Sequence, residues 1–301
     1  MEMTSDDAGS TDVVPETKPK RQCLSLVVLG ASIFLAGCTL SILAPFYTKE
    51  AEDHGLSVTS SGTVFASAFV LQIVATPVFG KHLQRLGSNR LFVFGSLVSG
   101  VTTVVFGFLP SIEAGHTFLA WSLVIRSLTA VGEAAMSTAV YPLAMRCAPG
   151  HQATMLAVME TMFGAGTTIG PFLGGFLFDY GGFVTPFVTC GGLLLTCALM
   201  GCLVLPRAGP EAGGDAGEDA GEDTPEHHDA DPSLGAASYR RLLSSPLMLV
   251  AASVTLLTGV STQWYQPSLE PYVRSKFGLT PFQVRPSIMF SNMSCPLSLS
   301  A

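Results

Sequence analysis

Hydrophobic positions in this chain do not alternate with polar ones; they come in long runs separated by short polar connections. Seven runs stand out: Leu24–Phe46, Gly62–Phe79, Leu91–Leu109, Phe118–Leu143, Ala153–Phe178, Phe183–Leu205 and Leu247–Tyr265. A helix rises about 1.5 Å per residue, so about 20 apolar residues cross a hydrocarbon core of about 30 Å. Each run therefore predicts a transmembrane helix. Strands of a membrane barrel would show a period of two, which these runs lack, so the expected fold is all-α. The first run follows a polar segment containing acids and Pro15 and is too long for the apolar core of a signal peptide, so it reads as a retained start-transfer helix.

The connections sort by charge. One side of the predicted bundle collects Lys18, Lys20, Arg21, Lys81, Arg85, Arg90, Arg146, Arg207, Arg240 and Arg241, whereas the other holds Lys49, Arg274 and Lys276. Cations stay preferentially on the cytoplasmic side, which predicts a multi-pass membrane protein with a cytoplasmic N-terminus.

Organisation follows from the same pattern. Residues 1–23 read as a disordered cytoplasmic N-terminus and residues 24–205 as a six-helix transmembrane bundle. Residues 206–245 carry Glu211, Asp215, Glu218, Asp219, Glu222, Asp223, Glu226, Asp229 and Asp231 among Gly and Ala, and read as an acidic disordered cytoplasmic linker. Residues 246–281 supply a seventh helix and its flank. Residues 282–301, with Pro286 and Pro296, form an irregular tail with no room for further spans. The expectation is one complete six-helix half and the start of a second, cut short.

Composition agrees with lipid as the solvent. Hydrophobic residues make up 48% and charged residues 12%, about half the charged share of an ordinary soluble domain. The net charge of −7 resides in the linker acids, so it implies no basic or acidic partner. Seven scattered cysteines show no metal-ligand or disulfide spacing, and His227 with His228 beside the linker acids reads as solvated surface. No cofactor is implied, no catalytic constellation indicates an enzyme, and no basic aromatic surface indicates nucleic acid.

Three features carry chemistry. The fifth run contains Gly166-Thr167-Thr168-Ile169-Gly170-Pro171-Phe172-Leu173-Gly174-Gly175. Glycines four apart let helix backbones approach closely, and Pro171 removes a backbone donor and bends the helix. The connection after the second run is Gly80-Lys81-His82-Leu83-Gln84-Arg85-Leu86-Gly87-Ser88-Asn89-Arg90, a basic turn between glycines. Finally, Arg126, Glu133 and Glu160 lie inside apolar runs. Intramembrane ions are costly, so they usually pair or line an aqueous path. Arg126 and Glu133, seven apart, fall on one helical face, and the short turn at 147–152 is expected to bring Glu160 to the depth of Glu133. These three are candidates for proton or cation handling; a static ion pair between helices is the alternative.

These motifs resemble those of a known family. The G-x-x-x-G-P-x-x-G-G stretch is similar to the fifth-helix motif of proton-coupled antiporters of the major facilitator superfamily, where it seals a packed seam against leak. Gly80, Arg85 and Gly87 match the superfamily's gating-loop motif, although Gln84 stands at the acidic position. Arg126 with Gly132 resembles its fourth-helix pattern. Ser41-Ile42-Leu43-Ala44-Pro45-Phe46-Tyr47, Gln266-Pro267-Ser268-Leu269 and Lys276-Phe277-Gly278-Leu279 look like the vesicular amine transporter family, closest to its polyamine branch. The resemblance covers residues 24–205 and 246–283. It implies a proton-coupled antiporter of small organic cations in a secretory or synaptic-type vesicle membrane, with Gln266 and Glu270 near the substrate cavity. Ala36 stands where monoamine carriers have an acid, which argues against a monoamine substrate. Other readings are a seven-helix receptor, which needs an outside N-terminus, and a non-transporting regulatory fragment of a transporter.

Overall fold

Long apolar runs with no internal water to satisfy their backbones must close their hydrogen bonds along the chain, and helices do so. The computed structural model describes residues 19–112, 115–148 and 150–205, with six isolated positions between 246 and 257. The described body is six helices: α1 (Pro19–Asp53), α2 (Val58–Leu86), α3 (Ser88–Gly107), α4 (His116–Cys147), α5 (Gln152–Gly181) and α6 (Val184–Val204), with a single 3-10 turn at Leu109–Ser111. Residues 1–18, the acidic linker, most of the seventh run, the tail, Gln266 and Glu270 lie outside the described residues.

Most helices run past the apolar stretches that predict them, because the helix continues through the polar interface until turn chemistry stops it. Between α2 and α3 a single residue, Gly87, makes the stop. Its φ of 79° is a conformation open to glycine and strained for other residues, and its N–H caps the Leu83 carbonyl at 2.9 Å. Five helices are long and apolar enough to cross a membrane. The sixth, α5, is 30 residues long but diluted by its glycines, threonines and Pro171.

Apart from α3 and α4, sequence neighbours are not the main packing partners. Helix α1 packs on α5 and α6, α3 on α4 and α6, and α2 chiefly on α4. Glycine makes three of these seams. A methyl group placed at Gly166 of α5 meets the Phe34 carbonyl oxygen of α1, and one at Gly37 lies 2.5 Å from the Phe163 carbonyl oxygen. Gly170 abuts Ser41 and Cys38, and Gly174 abuts Ile42. The α3–α4 seam pairs Gly95 with Gly132 and Met136, and the α3–α6 seam pairs Gly100 with Gly191. In lipid there is little hydrophobic drive between helices, so such close backbone approach is what holds them. Apolar side chains fill the remaining interior, Tyr47, Phe92, Phe118 and Phe187 among them, and others face outward: Val70 and Ile73 on α2, Phe172 and Phe176 on α5 and Leu203 on α6 are largely exposed, as suits contact with acyl chains.

Gly166→Ala is expected to lower stability by about 1–3 kcal/mol, since backbone must move to admit the methyl group. Gly192→Ala, where the added carbon meets nothing within 4 Å, should be neutral or raise stability by about 0.5–1 kcal/mol. Thermal unfolding of the two variants in detergent makes the comparison; equal effects would contradict the seam.

Candidate functional site

Helix α4 carries an ion pair within the apolar body. Arg126 and Glu133 sit two turns apart on one face, and Nη1 approaches Oε1 at 3.6 Å. Both are buried, at 4% and 7% exposure. They point into the bundle because Gly132, beside Glu133, lets α4 press on α3 at Gly95 and Ser99. The surroundings are hydroxyl-rich. Thr129, between the two charges, donates to Thr102 of α3 at 2.9 Å. A cavity of about 10 Å³, lined by Thr39, Thr103, Arg126 and Thr129 together with Leu43, Phe106 and Phe187, has the size of one water molecule. Arg126 Nε and Thr103 Oγ1 are buried there without a protein partner.

Glu160 is placed differently from the sequence expectation. It lies eight residues into α5, about 12 Å from the turn that joins α4 to α5, whereas Glu133 lies fourteen residues, about 21 Å, from the same turn. The two carboxylates have separate partners. The Tyr141 hydroxyl of α4 donates to Glu160 Oε1 at 2.8 Å, and Glu160 remains exposed. Eight and fourteen residues are unequal distances from the turn, so the two carboxylates stand at different depths along the helix pair and the expected juxtaposition is absent. Tyr141 itself gave no signal in the sequence; only the packing of α4 on α5 reveals it.

The exposure of Glu160 has a direction. At about 100° per residue, Ile169 and Phe176 lie on the opposite side of α5 from Glu160, as does Val158, and all three are exposed apolar residues. Glu160 shares its own face with Gly164, one turn on, where a Cβ would meet open space, and with Thr167. One side of α5 is therefore apolar, whereas Glu160, Gly164 and Thr167 share the other with the exposed Leu156.

The remaining motif residues serve the frame. Gly166, Gly170 and Gly174 form the α1–α5 seam, and Pro171 and Gly175 are buried beside it. Gly80 and Arg85 end α2 just before Gly87, with Arg85 exposed where a cation suits the C-terminal end of a helix dipole. Ala36 is buried in the core rather than facing an opening. A cleft of about 400 Å³ between the ends of α3 and α6, lined partly by Arg90 and Cys202, shares no residue with either carboxylate site.

The sequence matches the family described as Major Facilitator Superfamily over residues 29–298. The MFS-type transporter SLC18B1 of Mus musculus is 30% identical over 298 residues, covering 98% of this chain and 60% of the relative. The vesicular acetylcholine transporter of Mus musculus is 30% identical over 173 residues, 57% of this chain and 30% of the relative. The multi-drug resistance efflux pump PmrA of Streptococcus pneumoniae is 25% identical over 173 residues, 56% of this chain and 41% of the relative. The chain thus spans about 60% of the length of the first of these.

Removing one member of the buried pair strands the other, which costs about 3–5 kcal/mol. Arg126→Gln alone should therefore destabilise strongly, and adding Glu133→Gln should restore most of the loss. Thermal unfolding of the single and double variants reads this, and additive losses would show that the two charges are not coupled.

Proposed function

The chain belongs to the major facilitator superfamily, whose members are membrane transporters and not enzymes, and on that footing we propose that it serves proton-coupled exchange of small organic cations. The observation that carries the reading is the Arg126–Glu133 pair, a carboxylate and a guanidinium buried among hydroxyls in the middle of α4. A carboxylate in such a place can take up a proton only if its cation partner and neighbours rearrange, so protonation is tied to helix packing. That tie is what coupling requires. The α1–α5 glycine seam supports the same reading by giving a contact tight enough to exclude water, and Gly80, Arg85 and Gly87 act at the α2–α3 turn as the gating loop.

The organic-cation part rests on the kinship with transporters named for acetylcholine and for multi-drug resistance and on Glu160, an exposed acceptor. With the N-terminus in the cytoplasm and the opposite side lumenal, lumenal protons would exchange for cytoplasmic amines across a secretory or synaptic-type vesicle membrane, the two six-helix halves of the whole transporter rocking about a central site. A tenfold concentration ratio is worth about 1.4 kcal/mol. One proton exchanged per monovalent cation across one pH unit thus supports about tenfold accumulation, and each additional proton more.

Uptake of a labelled polyamine into acidified vesicles carrying the protein should collapse when a protonophore is added. The Arg126→Gln/Glu133→Gln double variant, which strands no charge, should reduce the pH-driven component at least tenfold. Uptake indifferent to the gradient in both proteins would overturn the reading.

A further inference from the structure

Tyr141 and Glu160 meet between α4 and α5 on the side of α5 turned away from its apolar stripe. The Tyr141 proton is already committed to Glu160 Oε1 at 2.8 Å. What this leaves facing outward is acceptors alone: the second carboxylate oxygen of Glu160 and the lone pairs of the Tyr141 oxygen. Gly164, one turn along α5, keeps the adjoining space open, since even a methyl group there would touch nothing within 4 Å. The neighbouring hydroxyls are turned inward: Thr168 and Thr167 each donate to the Gly164 carbonyl at 2.9 Å, and Thr138 donates to the Ala134 carbonyl at 2.7 Å. They therefore offer lone pairs rather than protons.

We propose that the Tyr141–Glu160 pair is a recognition site for alkylammonium groups that carry N–H donors, protonated primary and secondary amines, and that it discriminates against quaternary ammonium. The proposal rests on the organic-cation reading above and sharpens it. An acceptor-only pair needs a partner that brings both positive charge and hydrogen-bond donors. A quaternary nitrogen brings the charge but no donor, and is held instead by aromatic faces. Glu160 supplies the charge. Tyr141 is a positioning residue: its hydrogen bond fixes the carboxylate rotamer, and its oxygen adds a second acceptor for a two-point bond to one ammonium.

The test is binding of radiolabelled n-butylamine to the full chain in nanodiscs at neutral pH, with tetramethylammonium as competitor. The expected result is saturable binding that tetramethylammonium competes at least tenfold less well than unlabelled butylamine. Glu160→Gln should weaken binding at least tenfold, and Glu160→Asp should recover part of it. Tyr141→Phe should weaken binding severalfold and narrow the preference over tetramethylammonium, a change in ratio that a merely structural role would not give. Thermal unfolding verifies that each variant folds, with Glu160→Asp as the folded reference. Equal competition by the two ammonium ions, or unchanged binding in Glu160→Gln, would overturn the proposal. The antiport reading fails separately: selective binding without gradient-driven uptake would remove antiport and leave this site, whereas gradient-driven uptake unaffected by Glu160→Gln would do the reverse.

Discussion

Close backbone contact through glycine is the constraint on which this architecture depends. In lipid, burying a leucine against another helix gains little over leaving it among acyl chains, so cohesion must come from dispersion at short range and from polar contact. The seams meet that need: Gly166 against the Phe34 carbonyl, Gly95 against Gly132, and Gly100 against Gly191. Large side chains are divided between the lipid-facing outside and the spaces between helices, where Tyr47, Phe92, Phe118 and Phe187 are fully buried. The same contacts set where polar groups end up. Because Gly132 brings α4 onto α3, the neighbouring Glu133 is drawn into the interior with Arg126. Because Gly166 and Gly170 bind α5 to α1, the Glu160 face of α5 is left beside the seam and open.

The two carboxylates therefore live under different physics. Glu133 is enclosed and has a cation 3.6 Å away. Glu160 is exposed, has a phenol for a partner, and can meet a solute without rearrangement of the helices. On the proposed reading, separation of these environments along the α4–α5 pair would let one bundle respond to protons at one place and to a cation at another. Helix packing, which both sites share, is the means by which each can bias the other.

Much of this frame was legible in the sequence, and the illegible part has a common cause. Runs of apolar residues located α1 to α6, since length and hydropathy alone decide what spans. The seven-residue interval located the Arg126–Glu133 pair, because both residues lie on one helix whose geometry is fixed. Glycine spacing marked α5 as a close-packing helix, but not that its partner would be α1. The Gly95, Gly100 and Gly191 contacts carried no motif, and nothing in the one-dimensional pattern says which of many membrane glycines touches another backbone. The Tyr141–Glu160 bond depends on the relative rotation of two helices, a quantity set by packing that a linear pattern does not contain. The expected nearness of Glu160 to Glu133 failed on a simpler count: the two stand eight and fourteen residues from the turn.

Central to the account is that one face of α5 meets water and the opposite face meets lipid. Single cysteines at positions 164, 167, 169 and 176, introduced into a background whose native cysteines are replaced by serine, test this with a charged, membrane-impermeant thiol reagent. Gly164→Cys and Thr167→Cys should react, and a small alkylammonium ion should slow them. Ile169→Cys and Phe176→Cys should stay unmodified. Reaction at 169 and 176 with protection at 164 and 167 would contradict the account.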